Sequence, residues 1–348
     1  MSVFDINNLV RNNIAQLKAY SSARDEFDQD SEGMVFLDAN ESPFSNGVNR
    51  YPDPQQQKVK ALLSKQKGLA SNQILLGNGS DEVLDLIFRA FCEPNRDNVV
   101  LLPPTYGMYG VLAALNAIAV KEILLTEKFD INLEKTLSAV DKQSKLIFLC
   151  SPNNPSGNLL SAQKIRALIE NFNGLVVIDE AYIDFSLTQS WLKELDKYPN
   201  LIITQTLSKA YGMAGIRLGV CYASKAIIEI LNRIKPPYNI NKLSQEKAIE
   251  RLKKVAEVQE EIKRILKERT LLEKALKNIS FVENIYPSDA NFILVKVDDA
   301  NERYAQLIEK GIVIRNRTTQ VLCKNTLRLT VGTEIENKQL LKALEELN

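Results

Sequence analysis

The chain predicts an α/β protein: a large domain on a mostly parallel seven-stranded sheet flanked by helices, then a smaller α+β domain. Three observations carry that prediction. Seven short apolar runs fall between residues 74 and 222, and segments of helical periodicity separate most of them. The runs are nearly continuous in apolar residues, as strands covered on both faces are. Pro236 and Pro237 then break the alternation, and a long helical pattern leads into a different arrangement of strands and helices.

Residues 1–35 read as an N-terminal arm that packs with the small domain, polar apart from a short amphipathic piece near Leu9 to Leu17. VFLDANESPF (35–44) predicts a short strand and a turn, and RYPDPQ (50–55) a proline-punctuated loop before a helix over Gln57–Lys67. The sheet strands are expected at 74–77, 99–102, 118–124, 145–150, 175–179, 201–206 and 217–222. Between them the apolar spacing predicts helices over Asp81–Phe91, Tyr109–Leu115, Leu133–Val140 and Ala162–Asn171, with Lys225–Ile234 closing the series. This large domain should occupy residues 36–240. A single helix from Lys242 to Lys277, with an apolar stripe from Ile249 to Leu276, then carries the chain into a small domain over 241–348. There, strands are expected at 291–297, 311–315 and 327–331, and helices at 301–310 and 334–347.

Composition excludes several classes of function. Of the 348 residues, 45% are hydrophobic and 25% charged, the balance of an ordinary globular protein. A net charge of +1 offers no field for nucleic acid or an anionic membrane. The apolar run VLAALNAIAV (111–120) stops at Lys121, short of a membrane span, and MSVFDINNLV has no secretory pattern. Cys92, Cys150, Cys221 and Cys323 lie far apart with no CxxC, which suits buried reduced thiols in a cytoplasmic protein. There is no histidine, so imidazole-based nucleophile systems and His-ligated metals are out. Chemistry here must use Lys, Tyr, Asp or a cofactor.

Chemistry-bearing residues gather where strands end. The run LIIT empties into Thr206, Ser208 and Lys209, followed by three glycines and Arg217. A lysine at the end of a buried strand loses its proton readily and becomes an amine nucleophile, although a solvated loop lysine reads the same alone. GNGSDE (77–82) puts Gly79 and Ser80 between strand and helix; Ser80 is a good N-cap, and free N–H groups there favour phosphate. PPTYGMYG (103–110) brings Tyr106 and Tyr109 to a strand end, where an aromatic side chain can stack on a flat ring. SPNNPSG (151–157) offers an amide in a rigid turn, and VVIDEAY (176–182) puts Asp179 and Tyr182 after an apolar strand. Arg315 and Arg328 lie on strands of the small unit, where guanidinium forks suit carboxylates and phosphates. Each group also has a plain structural reading. Together they fall at the carboxyl ends of consecutive strands, where open α/β sheets place ligands, and fit a phosphorylated aromatic cofactor captured by lysine: pyridoxal 5′-phosphate.

These motifs resemble the PLP-dependent transferase fold type I, the aspartate aminotransferase superfamily. More narrowly they are similar to the histidinol-phosphate aminotransferase family, on LKAYSSAR (17–24), LDANESPF (37–44), NRYPDP (49–54), PPTYGMY, SPNNPSG, IDEAYIDF (178–185), TLSKAYGMAGIRLG (206–219), VIR (313–315) and LRLTVG (327–332). The resemblance implies that Lys209 forms the Schiff base and moves the proton between the substrate α-carbon and the cofactor. Asp179 would keep the pyridine nitrogen protonated, with its own pKa depressed by that cationic partner. Asn154 and Tyr182 would contact the 3′-oxygen and Tyr106 stack on the ring. The backbone around Gly79, Ser80 and Asp81, the hydroxyls of Ser208 or Thr206, and Arg217 would hold the phosphate. Tyr51 would reach into a neighbouring subunit's site, making a homodimer with shared sites. Tyr20, Asn40, Tyr51, Asn154, Arg315 and Arg328 would bind the substrate. The implied reaction moves an amino group between L-histidinol phosphate and 2-oxoglutarate, in histidine biosynthesis. An aromatic amino acid aminotransferase or a threonine-phosphate decarboxylase of this fold shares most of the motifs; a pyridoxal-phosphate-binding regulator would need a DNA-binding domain that about 35 leading residues cannot form. The sequence departs from the family at Ser156, where threonine is commoner, and at Ser42, where asparagine is.

Overall fold

A computed structural model describes residues 4–18, 20 and 34–347. A 3₁₀ turn at Ile6–Asn8 and helices α1 (Asn12–Ala15) and α2 (Gln57–Lys67) lead into the sheet. Next come β1 (Ile74–Asn78), α3 (Gly79–Phe91), β2 (Asn98–Leu101), α4 (Met108–Leu115), β3 (Ala119–Glu122) and α5 (Leu133–Ala139). They are followed by β4 (Ser144–Cys150), α6 (Ala162–Asn171), β5 (Leu175–Asp179), β6 (Leu201–Thr206), β7 (Leu218–Ala223) and α7 (Lys225–Ile234).

The seven strands lie in the order β1-β7-β6-β5-β4-β2-β3. Strand β7 runs antiparallel to both neighbours and every other pairing is parallel, so six carboxyl ends share one edge. The central strands are buried on both faces, and successive residues feed opposite cores. In β4, Ile147 and Leu149 join one cluster while Leu146, Phe148 and Cys150 join the other. This is why these strands read as unbroken apolar runs.

The second unit comprises α8 (Lys242–Leu252), α9 (Val255–Leu276), β8 (Val282–Ile285), β9 (Phe292–Val297), α10 (Ala300–Glu309), β10 (Arg315–Asn316), β11 (Thr326–Thr330) and α11 (Glu334–Glu345). Its four-stranded sheet has the order β10-β11-β9-β8.

Three expectations are corrected. The helix expected from Lys242 to Lys277 is two helices, broken at Lys253 and Lys254. No proline or glycine marks the break; tertiary contacts hold it. Gln66 Nε2 donates to the Leu252 carbonyl at 2.6 Å, and Arg251 donates to the Tyr211 carbonyl at 2.9 Å while pairing with Glu257 across the corner. Helix α8 packs Ala248 and Leu252 into the cluster that also holds Ile147, Leu149 and Leu294. The described part of the arm packs on the large domain, not the small one: Ile6, Val10 and Ile14 join the cluster that includes Phe91 and Leu231, and Arg11 N donates to the Ala90 carbonyl at 3.0 Å. Residues 35–44 form no strand; Val35 and Leu37 are exposed and pair with no sheet edge among the described residues. Strand β8, half-exposed and carrying two polar residues in four, lacks the apolar signal that marks its neighbours.

Candidate active site

Strand β1 passes into α3 through a left-handed glycine, Gly79, at φ +75°. A Cβ there would lie 2.8 Å from Arg217 Nη2, and one on Gly219 would lie 2.3 Å from the Gly79 carbonyl carbon. Both positions need glycine because two backbones and an arginine meet there. Ser80 is not the N-cap that the sequence suggests. Asn78 holds that position without a side-chain cap, and Glu82 reaches back to the Asn78 N–H at 2.6 Å. The Gly79 N–H is committed to the Arg217 carbonyl at 2.8 Å, so Ser80 and Asp81 are left to present first-turn N–H groups.

Ser80, Asp81, Tyr106, Asn154, Asp179, Tyr182, Thr206, Ser208, Lys209 and Arg217 line one cavity, with Cys150 and Ala181 completing the wall. Ten predicted residues thus converge, nine at or beyond the ends of β1, β2, β4, β5 and β6 and Arg217 at the start of β7. At the floor, Asp179 is buried and accepts from the Tyr109 hydroxyl at 2.8 Å and the Ala181 N–H at 3.1 Å. Burial pushes its carboxyl up: desolvation outweighs these bonds, and no lysine or arginine forms an ion pair with it among the described residues.

Lys209 Nζ lies 5.6 Å from the centre of the Tyr182 ring. Burial lowers its pKa first, and the neighbouring Arg328 lowers it further. Tyr182 packs edge-on against Phe292 at 5.1 Å, and burial raises its phenol. Tyr106 donates to Asp81 at 3.1 Å and meets Tyr109 edge-on at 5.5 Å. Asp81 in turn stands 3.7 Å from Arg217 Nη2, and Arg217 itself holds a left-handed φ of +53°. A non-glycine residue in that region costs about 1–2 kcal/mol, strain of the kind that clusters at ligand sites. Thr206 donates to Ser208 Oγ at 3.0 Å, setting the two hydroxyls side by side.

From the small unit, Arg328 Nη1 donates to Asn154 Oδ1 at 2.5 Å and lies over the Phe292 ring at 5.1 Å. Arg315 is its cross-strand partner. In the proline-flanked turn, Asn153 is structural, donating to the Pro104 carbonyl at 3.0 Å and to Ser156 Oγ at 2.7 Å, and Asn154 is left for the cavity.

One chain does not bring Tyr20, Asn40 and Tyr51 to Lys209. They line a separate cleft with Pro237 and Tyr238, where Tyr51 stacks on Tyr238 at 4.5 Å. Tyr20 is 72% exposed; most of its motif, Ala19 and Ser21 to Arg24, lies outside the described residues. Two residues near the site had no role from sequence. Tyr109 carries the same strand-end signal as Tyr106, and nothing local says which phenol meets the carboxylate. Arg317 follows Arg315 at the two-residue strand period.

The fold and this cavity are those of an aminotransferase. The family model for aminotransferase class I and II matches residues 35–344, and the chain belongs to that family. A histidinol-phosphate aminotransferase of Flavobacterium johnsoniae is 64% identical over the whole of both chains. Among solved structures, the histidinol-phosphate aminotransferase of Clostridium acetobutylicum superposes with a TM-score of 0.80 at 26% identity, covering 86% of this chain and 91% of that one. The Sinorhizobium meliloti enzyme, solved in complex with pyridoxal-5′-phosphate, has the same fold: TM-score 0.77, 22% identity, 86% of this chain and 84% of that one. Within the class, the chain is a member of the histidinol-phosphate aminotransferase family.

Proposed function

We infer that this aminotransferase holds pyridoxal 5′-phosphate in the Lys209 cavity and transfers the amino group of L-histidinol phosphate to 2-oxoglutarate, giving imidazole acetol phosphate and L-glutamate. We take it to work as a cytoplasmic homodimer. The observation that carries the reading is the cavity itself. It sets a buried amine among an anion-binding helix start, a buried carboxylate and an arginine. The residues fit the cofactor: among the described residues the buried carboxyl of Asp179 forms no ion pair, and the buried Nε of Arg328 has no partner.

When bound, the cofactor supplies an electron sink for the pair left at the substrate α-carbon. The chain's own residues do the remaining work. Ser80 and Asp81 N–H groups, the Thr206 and Ser208 hydroxyls and Arg217 would hold the phosphate. Asp179 would keep a proton on the ring nitrogen, Asn154 and Tyr182 would contact the 3′-oxygen, and Tyr106 would lie against the ring. Lys209 Nζ, whose pKa burial lowers, would hold the cofactor and would take and return the α-proton.

Arg315 and Arg328 would hold the substrate's anionic tail. Tyr20, Asn40 and Tyr51 would act on the site of a second copy. The segment that carries Asn40 and Tyr51 also exposes Val35, Leu37 and Phe44, and exposed apolar side chains of this kind mark interfaces.

The test is a pair of half-reactions on the holoenzyme. L-Histidinol phosphate should abolish the visible absorbance of the lysine-bound cofactor, and 2-oxoglutarate should restore it, with no carbon dioxide released. Persistence of that absorbance, or carbon dioxide release, refutes the substrate assignment.

A further inference from the structure

Strands β10 and β11 present more positive charge than a single carboxylate needs. In an antiparallel pair, directly opposed residues share a face and every second residue returns to it. Arg315 opposes Arg328, and the Arg317 N–H donates to the Thr326 carbonyl at 2.9 Å, continuing the ladder by one pair. Arg315, Arg317 and Arg328 therefore stand on one face of the small sheet. The next strand puts Leu294 opposite Arg328, with Phe292 two residues away on the same face. Phe292 packs against Tyr182, and Arg328 bonds Asn154, so this face looks onto the Lys209 cavity.

Among the described residues nothing balances that charge. Burial lowers Arg317 to about 10, helped by Arg328 and Arg315 and opposed by Tyr182 and Cys323; no carboxylate is among the groups acting on it. Arg328 has no carboxylate neighbour either. The Nε atoms of both Arg317 and Arg328 are buried and without a partner among the described residues. Clustered, desolvated guanidinium groups with unmade hydrogen bonds are costly unless an anion joins them. A carboxylate brings one charge and two oxygens. A phosphate monoester brings three terminal oxygens and, above about pH 6, nearly two charges.

We propose that Arg317 is a third guanidinium of the tail-binding subsite and selects amine donors that end in a phosphate monoester dianion over those that end in a carboxylate. The proposal rests on the reading that Arg315 and Arg328 hold the tail. Arg317 is well suited to a side-chain test because its main chain is fixed independently: its N–H is held by Thr326, and its carbonyl accepts from Gln320 N at 2.9 Å. The loop beyond closes through Asn325 N to Thr318 Oγ1 at 2.7 Å.

The experiment compares holoenzyme of wild type, Arg317→Gln and Arg317→Lys with L-histidinol phosphate and with L-glutamate as amine donors. Losing a hydrogen bond to a charged group corresponds to roughly 10- to 100-fold. Arg317→Gln should raise KM for L-histidinol phosphate by about that factor, with kcat little affected and a several-fold smaller loss for L-glutamate, and Arg317→Lys should recover part of it. A second arm titrates n-propyl phosphate into the same holoenzymes by calorimetry. Wild-type affinity should fall as pH drops through about 6, where the dianion takes up a proton, and Arg317→Gln should bind more weakly with a flatter pH profile. Equal losses for both donors, or unchanged n-propyl phosphate affinity in Arg317→Gln, overturns the proposal. If wild type fails to turn over L-histidinol phosphate yet the calorimetric arm behaves as described, the donor assignment falls and the role of Arg317 stands.

Discussion

Replacing Tyr109 by phenylalanine isolates one interaction at the floor of the cavity. The ring is fully buried, stacked on Phe148 at 5.0 Å and edge-on to Tyr106, and phenylalanine keeps those contacts. What disappears is the 2.8 Å bond from the hydroxyl to Asp179. The Ala181 N–H remains, so the carboxylate loses one of its donors and keeps another. Such a bond to an ionised group contributes about 1.5–3 kcal/mol, and one to a neutral group about 0.5–1.5 kcal/mol. With an unfolding entropy of roughly 2.1 cal/mol/K per residue over 348 residues, the larger range lowers the Tm of the apoprotein by about 2–4 °C. The pH dependence has a definite sign. Burial raises Asp179, so the stability it contributes is present below the unfolded carboxyl pKa and is lost as pH rises through the folded value. The Tyr109 hydroxyl limits that loss by holding the ionised form. Tyr109→Phe therefore costs most at alkaline pH, and the gap narrows on acidification. Differential scanning calorimetry of both apoproteins from pH 5 to pH 8.5 measures it. A gap that is constant across that range, or that widens toward acid, refutes the reasoning.

Three further outcomes are expected. Gly219→Ala places a methyl 2.3 Å from the Gly79 backbone, so it should displace the start of α3, cost about 1–3 kcal/mol of stability and weaken cofactor affinity in a fluorescence titration. Because Arg328 helps lower Lys209, Arg328→Gln should move the pH midpoint for pyridoxal 5′-phosphate uptake by the apoenzyme to higher pH; a downward shift contradicts the assigned cause. Lys209→Ala and Tyr51→Ala should each be nearly inactive alone. If Tyr51 serves the neighbouring subunit, refolding the two together gives mixed dimers with one intact site, and activity should return to about a quarter of wild type at random pairing. No recovery places Tyr51 in its own chain's site.

Much of this site is legible in the amino-acid sequence because a parallel sheet turns sequence into position. A run such as LVVID can only be a doubly covered strand, so its last residue, Asp179, must emerge at the edge where the other strands end. The same logic fixes Asn154, Thr206 and Lys209. It fails where partners are chosen by packing. Tyr106 and Tyr109 are three residues apart after one strand, and only the orientation of α4 decides that Tyr109 meets Asp179 while Tyr106 meets Asp81. The break after Leu252 has no local signal either, since a glutamine on α2 and an arginine–glutamate pair set it from outside the helix.

Residues 35–52 mark the other limit of sequence reasoning. An apolar stretch such as VFLDANESPF reads as a strand when judged by its own composition, yet in this chain it exposes Val35, Leu37 and Phe44 and joins no strand among the described residues. The same segment carries Asn40 and Tyr51, which line a cleft apart from Lys209 and whose expected roles lie in binding substrate. A segment that buries little within its own chain and carries binding residues away from that chain's cavity would be completed by a second copy. Burial at an interface would account for its apolar composition, and delivery of Tyr51 across that interface would account for its distance from Lys209. The mixed-dimer experiment tests the delivery of Tyr51 directly. A chain that stays monomeric in sedimentation equilibrium while remaining fully active would remove the interface.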